Sequence, residues 1–266
     1  MSGDDLNAKI NTVADMVAKS KKVVVFTGAG VSTESGIPDF RSPGGIWTKF
    51  DPDDFTFQKF VSNPEARKKH WQLLKNGGLT ANAKPNPAHH AIVDLDKLGK
   101  LDCVITQNVD NLHQKAGVPD DKVFELHGNM QWVICLDCKK RYPFEQFTEK
   151  LDLEKEIPDC EKCHGLLKPD AVFFGEQLPP QVLQEATFRS RSCDLFIVIG
   201  SSLVVYPAAY MPVYAMEAGA KVIIINIGST PCDADADVLI NSKAGKAMEM
   251  IVNKVTEKIT LQLKPS

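Results

Sequence analysis

The chain has no apolar run of bilayer length, no surplus of positive charge, no internal repeat and no low-complexity stretch. A membrane-spanning helix needs about 20 consecutive apolar residues. The longest runs here, Val23-Val24-Val25-Phe26, Phe196-Ile197-Val198-Ile199 and Val222-Ile223-Ile224-Ile225, are strand-length, so no membrane partner is expected. Lys and Arg number 31 against 34 Asp and Glu, for a formal net charge of −3. Without a basic surface, direct nucleic-acid binding is not expected. Met1 to Lys22 is too polar to supply the apolar core of a signal peptide, and a cytoplasmic location is the expectation. What is present is an ordinary globular composition: 266 residues at 43% hydrophobic, enough for one large core or a core domain carrying a smaller module.

Seven cysteines include two close pairs, Cys135-x-x-Cys138 and Cys160-x-x-Cys163. A pair separated by two residues curls in one turn and offers both sulfurs to one ion, so two pairs complete a tetrahedral shell. The gap between the pairs runs slightly past the roughly 15–20 residues of the ribbon pattern, which a longer hairpin or short helix absorbs. Zinc is the expected ion, in a structural role, because four thiolates leave no open position for water. Two disulfides or four buried thiols are the alternatives, and both fit poorly with a chain lacking signs of secretion. His164, beside Cys163, could replace a sulfur, but four already suffice. Cys103, Cys193 and Cys232 remain as reduced thiols.

Several β-branched runs end in polar or glycine-rich turns and lead towards helical patterns, the pattern of a parallel sheet covered on both faces. The predicted fold class is therefore α/β. Strands are expected at Val23–Thr27, Cys103–Thr106, Val123–Leu126, Leu195–Ile199 and Lys221–Asn226, and helices at Leu6–Ser20, Ala88–Leu98, Gln181–Ser190 and Ala244–Leu261. Two stretches break the alternation: Thr33 to Lys84, with a helical patch around Pro64–Leu74, and the cysteine module. Both read as insertions that build a smaller lobe beside a cleft. Trp132 is expected in core or hinge packing.

Val23–Thr27 runs into Gly28-Ala29-Gly30-Val31-Ser32, where a tight turn lets backbone N–H groups approach a pyrophosphate. A hydride-transferring dinucleotide enzyme should continue into a helix and a second strand ending in an acidic residue. The chain instead gives Gly36-Ile37-Pro38-Asp39-Phe40-Arg41-Ser42-Pro43-Gly44-Gly45, which cannot be a long helix and suggests a flap. A second polar cluster, Gln107-Asn108-Val109-Asp110-Asn111, follows the Cys103–Thr106 strand, at the strand end where open α/β sheets bind ligands. Asn108 or Asp110 taken alone would pass as a helix cap. His127 taken alone would pass as a structural histidine.

These motifs, with Glu125-Leu126-His127-Gly128, the paired cysteines, Phe174-Gly175-Glu176 and Gly200-Ser201-Ser202, follow one order in which the chain resembles the sirtuins, NAD-dependent protein lysine deacylases, and most of all their small bacterial and archaeal members. The resemblance covers roughly residues 20 to 255. It implies a Rossmann-like NAD-binding domain from residues 1–32, 85–126 and 170–266, a flexible loop and helical module at 33–84, and a zinc-ribbon module at 127–169. NAD and structural zinc are the implied cofactors, and acetyl-lysine-bearing proteins or peptides the implied partners. Carried over, Gly28, Ala29, Gly30, Asp39 and Arg41 would bind NAD, with Phe40 over the reacting ribose carbon. Gln107, Asn108 and Asp110 would hold nicotinamide and its ribose, Asn108 and Asp110 counting with His127 as catalytic. Gly200, Ser201, Ser202, Asn226 and Ala244 would meet the rest of the cofactor. Val172, Phe174 and Val205 would line the acyl-lysine tunnel beside Phe40 and His127, and Gly175 and Glu176 would pair with the peptide. His127 would be the general base that activates a ribose hydroxyl, a task suited to an imidazole of ordinary pKa near 6.5. The product would be O-acetyl-ADP-ribose with free lysine and nicotinamide.

Relatives that remove acidic acyl groups carry a Tyr-x-x-Arg pair in the small-lobe helix. Trp71 and Leu74 stand there, so an uncharged acyl group such as acetyl is expected. Val109 stands where relatives often carry isoleucine, one methylene apart. The rival enzymatic functions are NAD glycohydrolysis and mono-ADP-ribosyl transfer, which need the same electrophilic sugar. The rival of another class is a zinc-ribbon module binding nucleic acid or protein, supported only by the short cluster Lys139-Lys140-Arg141.

Overall fold

The apolar runs become the inner strands of one parallel sheet. The computed structural model describes residues 3–75, 82–150, 157 and 159–262. In chain order the elements are α1 (Gly3–Lys19), β1 (Val23–Thr27), α2 (Phe57–Ser62), α3 (Pro64–Lys75), α4 (Pro87–Lys97), β2 (Leu101–Thr106), α5 (Leu112–Ala116), β3 (Val123–Glu125), β4 (Gly128–Cys135), β5 (Arg141–Pro143), α6 (Phe144–Lys150), β6 (Leu167–Ala171), α7 (Pro180–Ser192), β7 (Leu195–Ile199), α8 (Met211–Glu217), β8 (Lys221–Ile225), β9 (Val238–Ile240) and α9 (Ala244–Gln262). The expected strands and helices of the large domain are all present, with ends displaced by a few residues.

The main sheet has strand order β3-β2-β1-β7-β8-β9, every pairing parallel. All residues of β1 and β7 are buried because both faces are covered, which is why the runs show no polar alternation. Val23 and Val25 of β1 face a core with α1, α4 and α9, including Val13, Ile92 and Ile251, while Val24 and Phe26 face α7 and α8 through Ala186 and Met211. The chain proceeds from β1 outward to β3, then returns to β7 and proceeds outward the other way. The strand order therefore reverses between β1 and β7, and the crevice beyond their C-terminal ends is the natural ligand site.

The second sheet, β5-β4-β6, is antiparallel and lies largely within the expected zinc-ribbon module, where the sequence pattern marks no individual strands. With α2, α3 and α6 it makes a lobe whose core contains Phe60, Trp71, Leu74, Val133, Phe147, Leu167 and Phe173 together with Cys135 and Cys160. The two insertions thus share one apolar interior. Trp71 is fully buried there, its ring 4.7 Å from Phe147, and Leu74 is buried beside it. Trp132 is not core: it is 36% exposed on β4, with the Arg141 guanidinium over its ring at 4.9 Å, because neighbours on a strand face opposite sides and Val133 takes the inner one. β6 runs through Ala171, across the expected junction between residues 169 and 170. The expected domain ranges also include residues 1–2, 76–81, 151–156, 158 and 263–266, which lie outside the described residues. Among the described residues no helix is long and apolar enough to cross a membrane.

Candidate active site and metal centre

At the reversal point two glycine turns interlock. Gly28 N–H donates to the Ile199 carbonyl at 3.1 Å and Gly30 N–H to the Gly200 carbonyl at 2.8 Å. A Cβ on Gly30 would lie 2.8 Å from the Gly200 Cα, and one on Gly200, whose φ is +61°, would lie 2.3 Å from the Val31 nitrogen. Only glycine fits on both sides, so the turns after β1 and β7 close on each other and leave a backbone-lined floor suited to a pyrophosphate.

The cluster after β2 lies against this floor. Gln107 N–H donates to the Thr27 carbonyl at 3.0 Å, and its Nε2 donates to Ser201 Oγ at 2.8 Å. Asn108 Nδ2 lies 3.2 Å from both the Gly28 carbonyl and Ser32 Oγ. Ser32 Oγ donates to Asp110 Oδ2 at 2.7 Å, while Asp110 Oδ1 accepts from Leu112 N–H at 3.0 Å. Asp110 therefore holds the start of α5 with one oxygen and the pocket with the other. Burial pushes its carboxyl above the ordinary range, and the Leu112 and Ser32 hydrogen bonds oppose this. Ser32 was part of a recognised motif but carried no predicted role; a small hydroxyl after a glycine turn gives no local sign of a partner so far along the chain.

His127 follows β3. Its Nδ1–H donates to the Gln107 carbonyl at 2.9 Å, which fixes the tautomer and leaves Nε2 as the basic nitrogen. Burial lowers its pKa from the ordinary value, against the raising effect of the Gln107 bond. The next residue must be glycine: Gly128 has φ +74°, and a Cβ there would fall 2.2 Å from the Asp170 carbonyl oxygen, where β4 and β6 cross closely. The His127 carbonyl accepts from Val172 N–H at 2.8 Å, placing a predicted tunnel residue beside the imidazole's own backbone.

The predicted flap is compact. Asp39 turns inward: its carboxylate accepts from the Arg41 and Ser42 N–H groups at 3.0 and 2.8 Å and from Ser42 Oγ at 2.6 Å. Arg41 reaches Ser202 Oγ at 3.4 Å, joining flap to floor. Phe40, 38% exposed, stands 5.1 Å from Trp47, whose ring is 5.5 Å from Phe55 and 5.9 Å from Phe174. Phe174 is itself bridged to the flap's far end, donating to the Phe55 carbonyl at 3.1 Å and accepting from Phe57 N–H at 2.9 Å. Val205 is half-buried, and Gly175 is exposed with φ +86°. The Glu176 carboxylate is directed to Lys168 at 3.0 Å. Asn226 is held by its N–H to the Ile240 carbonyl and its Nδ2 to the Gly228 carbonyl, at 3.1 and 2.7 Å. Ala244 is buried at the start of α9, where Gly245 N–H meets Glu34 Oε2 at 2.7 Å.

A buried polar chain runs beneath the pocket. Asn86 caps α4 and its N–H donates to His89 Nδ1 at 3.3 Å, so His89 carries its proton on Nε2. Thr27 Oγ1 donates to Thr106 Oγ1 at 2.8 Å and meets His113 Nε2 at 2.9 Å, so His113 donates from Nε2 and Nδ1 is bare. Thr106 Oγ1 also accepts from Asn108 N–H at 3.0 Å. His89 Nε2 and His113 Nδ1 have no partner among the described residues, yet they are donor and acceptor on rings 5.0 Å apart. Burial lowers the two imidazoles to about 4 and about 3.

At the four cysteines, all sulfurs lie within 4.8 Å of one another, with Cys135 to Cys163 at 3.5 Å and Cys138 to Cys160 at 3.6 Å. Zn–S bonds of about 2.3 Å give tetrahedral edges of roughly 3.8 Å, so the spacing fits a metal and is far too long for disulfides of about 2.05 Å. The two knuckles are built alike. Lys139 N–H donates to the Cys135 carbonyl at 3.1 Å and His164 N–H to the Cys160 carbonyl at 2.8 Å, each from a residue of positive φ. His164 is thus the turn residue of its knuckle, as Lys139 is of the other, and the donor set remains four sulfurs. Tyr142 OH lies 3.1 Å from Cys160 Sγ, where it can donate to the thiolate.

The model of the Sir2 family matches residues 28–207. The NAD-dependent protein deacylase 2 of Archaeoglobus fulgidus is 47% identical over 249 residues, 93% of this chain and 96% of that protein. The NAD-dependent protein deacetylase 1 of Pyrobaculum aerophilum is 43% identical over 257 residues, 96% of this chain and 98% of that one. A solved Sir2 structure with a deacetylated p53 peptide and 3′-O-acetyl ADP-ribose superposes with a TM-score of 0.82 at 40% identity, covering 94% of this chain and 98% of the other.

Proposed function

Because this chain belongs to the Sir2 family, we propose that it is an NAD-dependent protein lysine deacetylase in which His127 is the general base and Gln107, Asn108 and Asp110 form the nicotinamide-ribose pocket. The observation that carries the residue assignment is the fixed tautomer of His127: the Gln107 carbonyl holds Nδ1–H at 2.9 Å, so the imidazole is anchored to the segment that presents the polar pocket and Nε2 is left as the basic nitrogen. Bound NAD supplies an electrophilic ribose carbon once nicotinamide leaves, and the acetyl group ends on ADP-ribose. The chain's part is to orient and to move one proton. The interlocked glycines and Ser201 and Ser202 seat the phosphates, Arg41 and Phe40 close from the flap, and His127 Nε2 takes the proton of a ribose hydroxyl. Burial lowers the pKa of His127 and so favours the neutral imidazole, the form whose Nε2 can take a proton.

The four cysteines hold structural zinc, and the large domain is Rossmann-like; the division at residues 1–32, 33–84, 85–126, 127–169 and 170–266 is proposed with it, except that its last boundary is moved beyond Ala171 so that β6 is not cut. Substrates are acetyl-lysine peptides and proteins, in an uncharged-acyl tunnel lined by Val172, Phe174 and Val205. A cytoplasmic site without direct nucleic-acid or membrane contact completes the proposal, supported by the net charge of −3. The test is incubation with NAD and an acetyl-lysine peptide, followed by mass spectrometry, for the wild type and His127→Ala. O-acetyl-ADP-ribose from the wild type alone is expected. Its absence across several peptides, or free ADP-ribose formed equally well without peptide, would overturn the deacetylase assignment, the latter in favour of NAD glycohydrolysis.

A further inference from the structure

The small lobe buries one lysine almost completely. Lys168, on β6 opposite Ile134 of β4, is 3% exposed. Its Nζ donates to the Pro169 carbonyl at 3.0 Å and to the Ala171 carbonyl, pairs with Glu176 Oε2 at 3.0 Å, and lies 4.4 Å from the Phe173 ring centre. The same Glu176 oxygen accepts from Phe173 N–H at 2.7 Å. One carboxylate oxygen therefore ties residues 168, 173 and 176 together, and the segment pinned between them carries Val172, Phe174 and Gly175.

A buried ion pair is a costly way to stabilise a lobe, since desolvation offsets most of the attraction and an apolar residue does as well. What the pair adds is position. We propose that Lys168 is a positioning residue for substrate: through Glu176 it sets the strip Val172–Glu176, which forms one wall of the acyl-lysine tunnel, from the zinc-stapled sheet. This rests on the deacetylase assignment and extends it to a residue that never touches the substrate. Phe174, bonded to Phe55 and Phe57, holds the strip's other edge. With both edges fixed, the strip is preorganised before peptide arrives, and losing the latch raises the ordering cost of binding peptide but not of binding NAD.

The pair is asymmetric, and this selects the variant. The Glu176 side chain is 19% exposed, against 4% for Lys168. Deleting Glu176 strands a buried ammonium, whereas Lys168→Met fills the same space and lets the carboxylate turn to water. The experiment measures equilibrium binding of NAD and of a fluorescent acetyl-lysine peptide to zinc-loaded wild type, K168M and K168R, with zinc content and near-UV circular dichroism as folding controls. K168M is expected to weaken peptide binding about tenfold and NAD binding less than twofold, and K168R to recover most of the peptide affinity. Equal weakening of both ligands, or unchanged peptide affinity in folded K168M, would overturn the proposal. Should K168M lose its zinc, E176Q, which keeps an acceptor but no charge, is expected to weaken peptide binding several-fold at unchanged NAD affinity, and no change there overturns it too. A wild type that binds NAD but no acetylated peptide would instead sink the deacetylase assignment.

Discussion

Acidification from about pH 8 to about pH 5 is expected to remove roughly 4 kcal/mol of folding stability through His89 and His113 alone. Both imidazoles titrate near 6.5 when unfolded, whereas burial holds them at about 4 and about 3 in the fold. At about pH 5 the unfolded chain has taken up nearly a full proton at each while the native state has taken up almost none, a difference of about 2 kcal/mol per site. Because the unfolded state binds the extra protons, stability falls as pH drops through this window. The geometry requires the same sign. A second proton on His89 would have to sit on Nδ1, against the Asn86 N–H, and one on His113 would point Nδ1–H at the Nε2–H side of His89. His70, lowered by burial to about 4 in the small lobe, adds a similar amount. Asp110 and Glu125, raised by burial, return part of it because they favour the native state as it takes up protons. Against a total of about 5–15 kcal/mol, the loss is large enough to move a urea midpoint visibly. The assay is urea unfolding at both pH values for the wild type and His113→Gln, the variant controlling for acid release of metal. A wild-type change below about 1 kcal/mol, or a variant whose pH slope does not shrink by about 2 kcal/mol over the interval, would refute the reasoning.

Ser32→Ala removes a hydrogen bond to a buried carboxylate, worth about 1.5–3 kcal/mol of stability, and should lower the melting temperature by roughly 3–12 °C and, by loosening Asp110 in the pocket, lower kcat/KM for NAD about tenfold or more; steady-state kinetics with differential scanning calorimetry decide it. Gly200→Ala forces a Cβ into the Val31 backbone at positive φ, so NAD binding measured by calorimetry should be lost and the protein destabilised by at least about 1–3 kcal/mol. Stripping zinc with a chelator should unfold the small lobe, whose core includes Cys135 and Cys160, and abolish peptide binding; full turnover by metal-free protein would show the metal to be dispensable.

How much of this was legible in the sequence depended on the range of the contacts. The inner strands announced themselves because β1 and β7 are buried on both faces and need apolar residues at every position. The cysteine knuckles were legible because each is local. β5 and β9, three residues each, are too short for periodicity to register, and Lys168-Pro169-Asp170 within β6 looks like loop, since its buried charge is explained only by Glu176. The polar cluster after β2 could be located from its strand, but not the role of Ser32, whose partners are 76 and 78 residues away. The fit of Gly200 against Gly30 was equally hidden: each glycine is visible, and only the fold shows that they meet. The core alternative for Trp132 fails because the ring stands on the outer face of β4, and no sequence pattern shows that an arginine on the neighbouring strand will cover it there.

The shared interior of the small lobe bears on how such a chain can be recombined. Phe60, Trp71 and Leu74 come from one insertion, Val133, Phe147 and Leu167 from the other, and neither set encloses a core alone. A chimera that imports only the metal-binding half from a relative would set foreign side chains against the native helices, and the mismatch would surface as a void or a clash around Trp71. The two segments are distant in the chain but form a single unit of exchange, and crossovers between relatives should succeed when they carry both or neither.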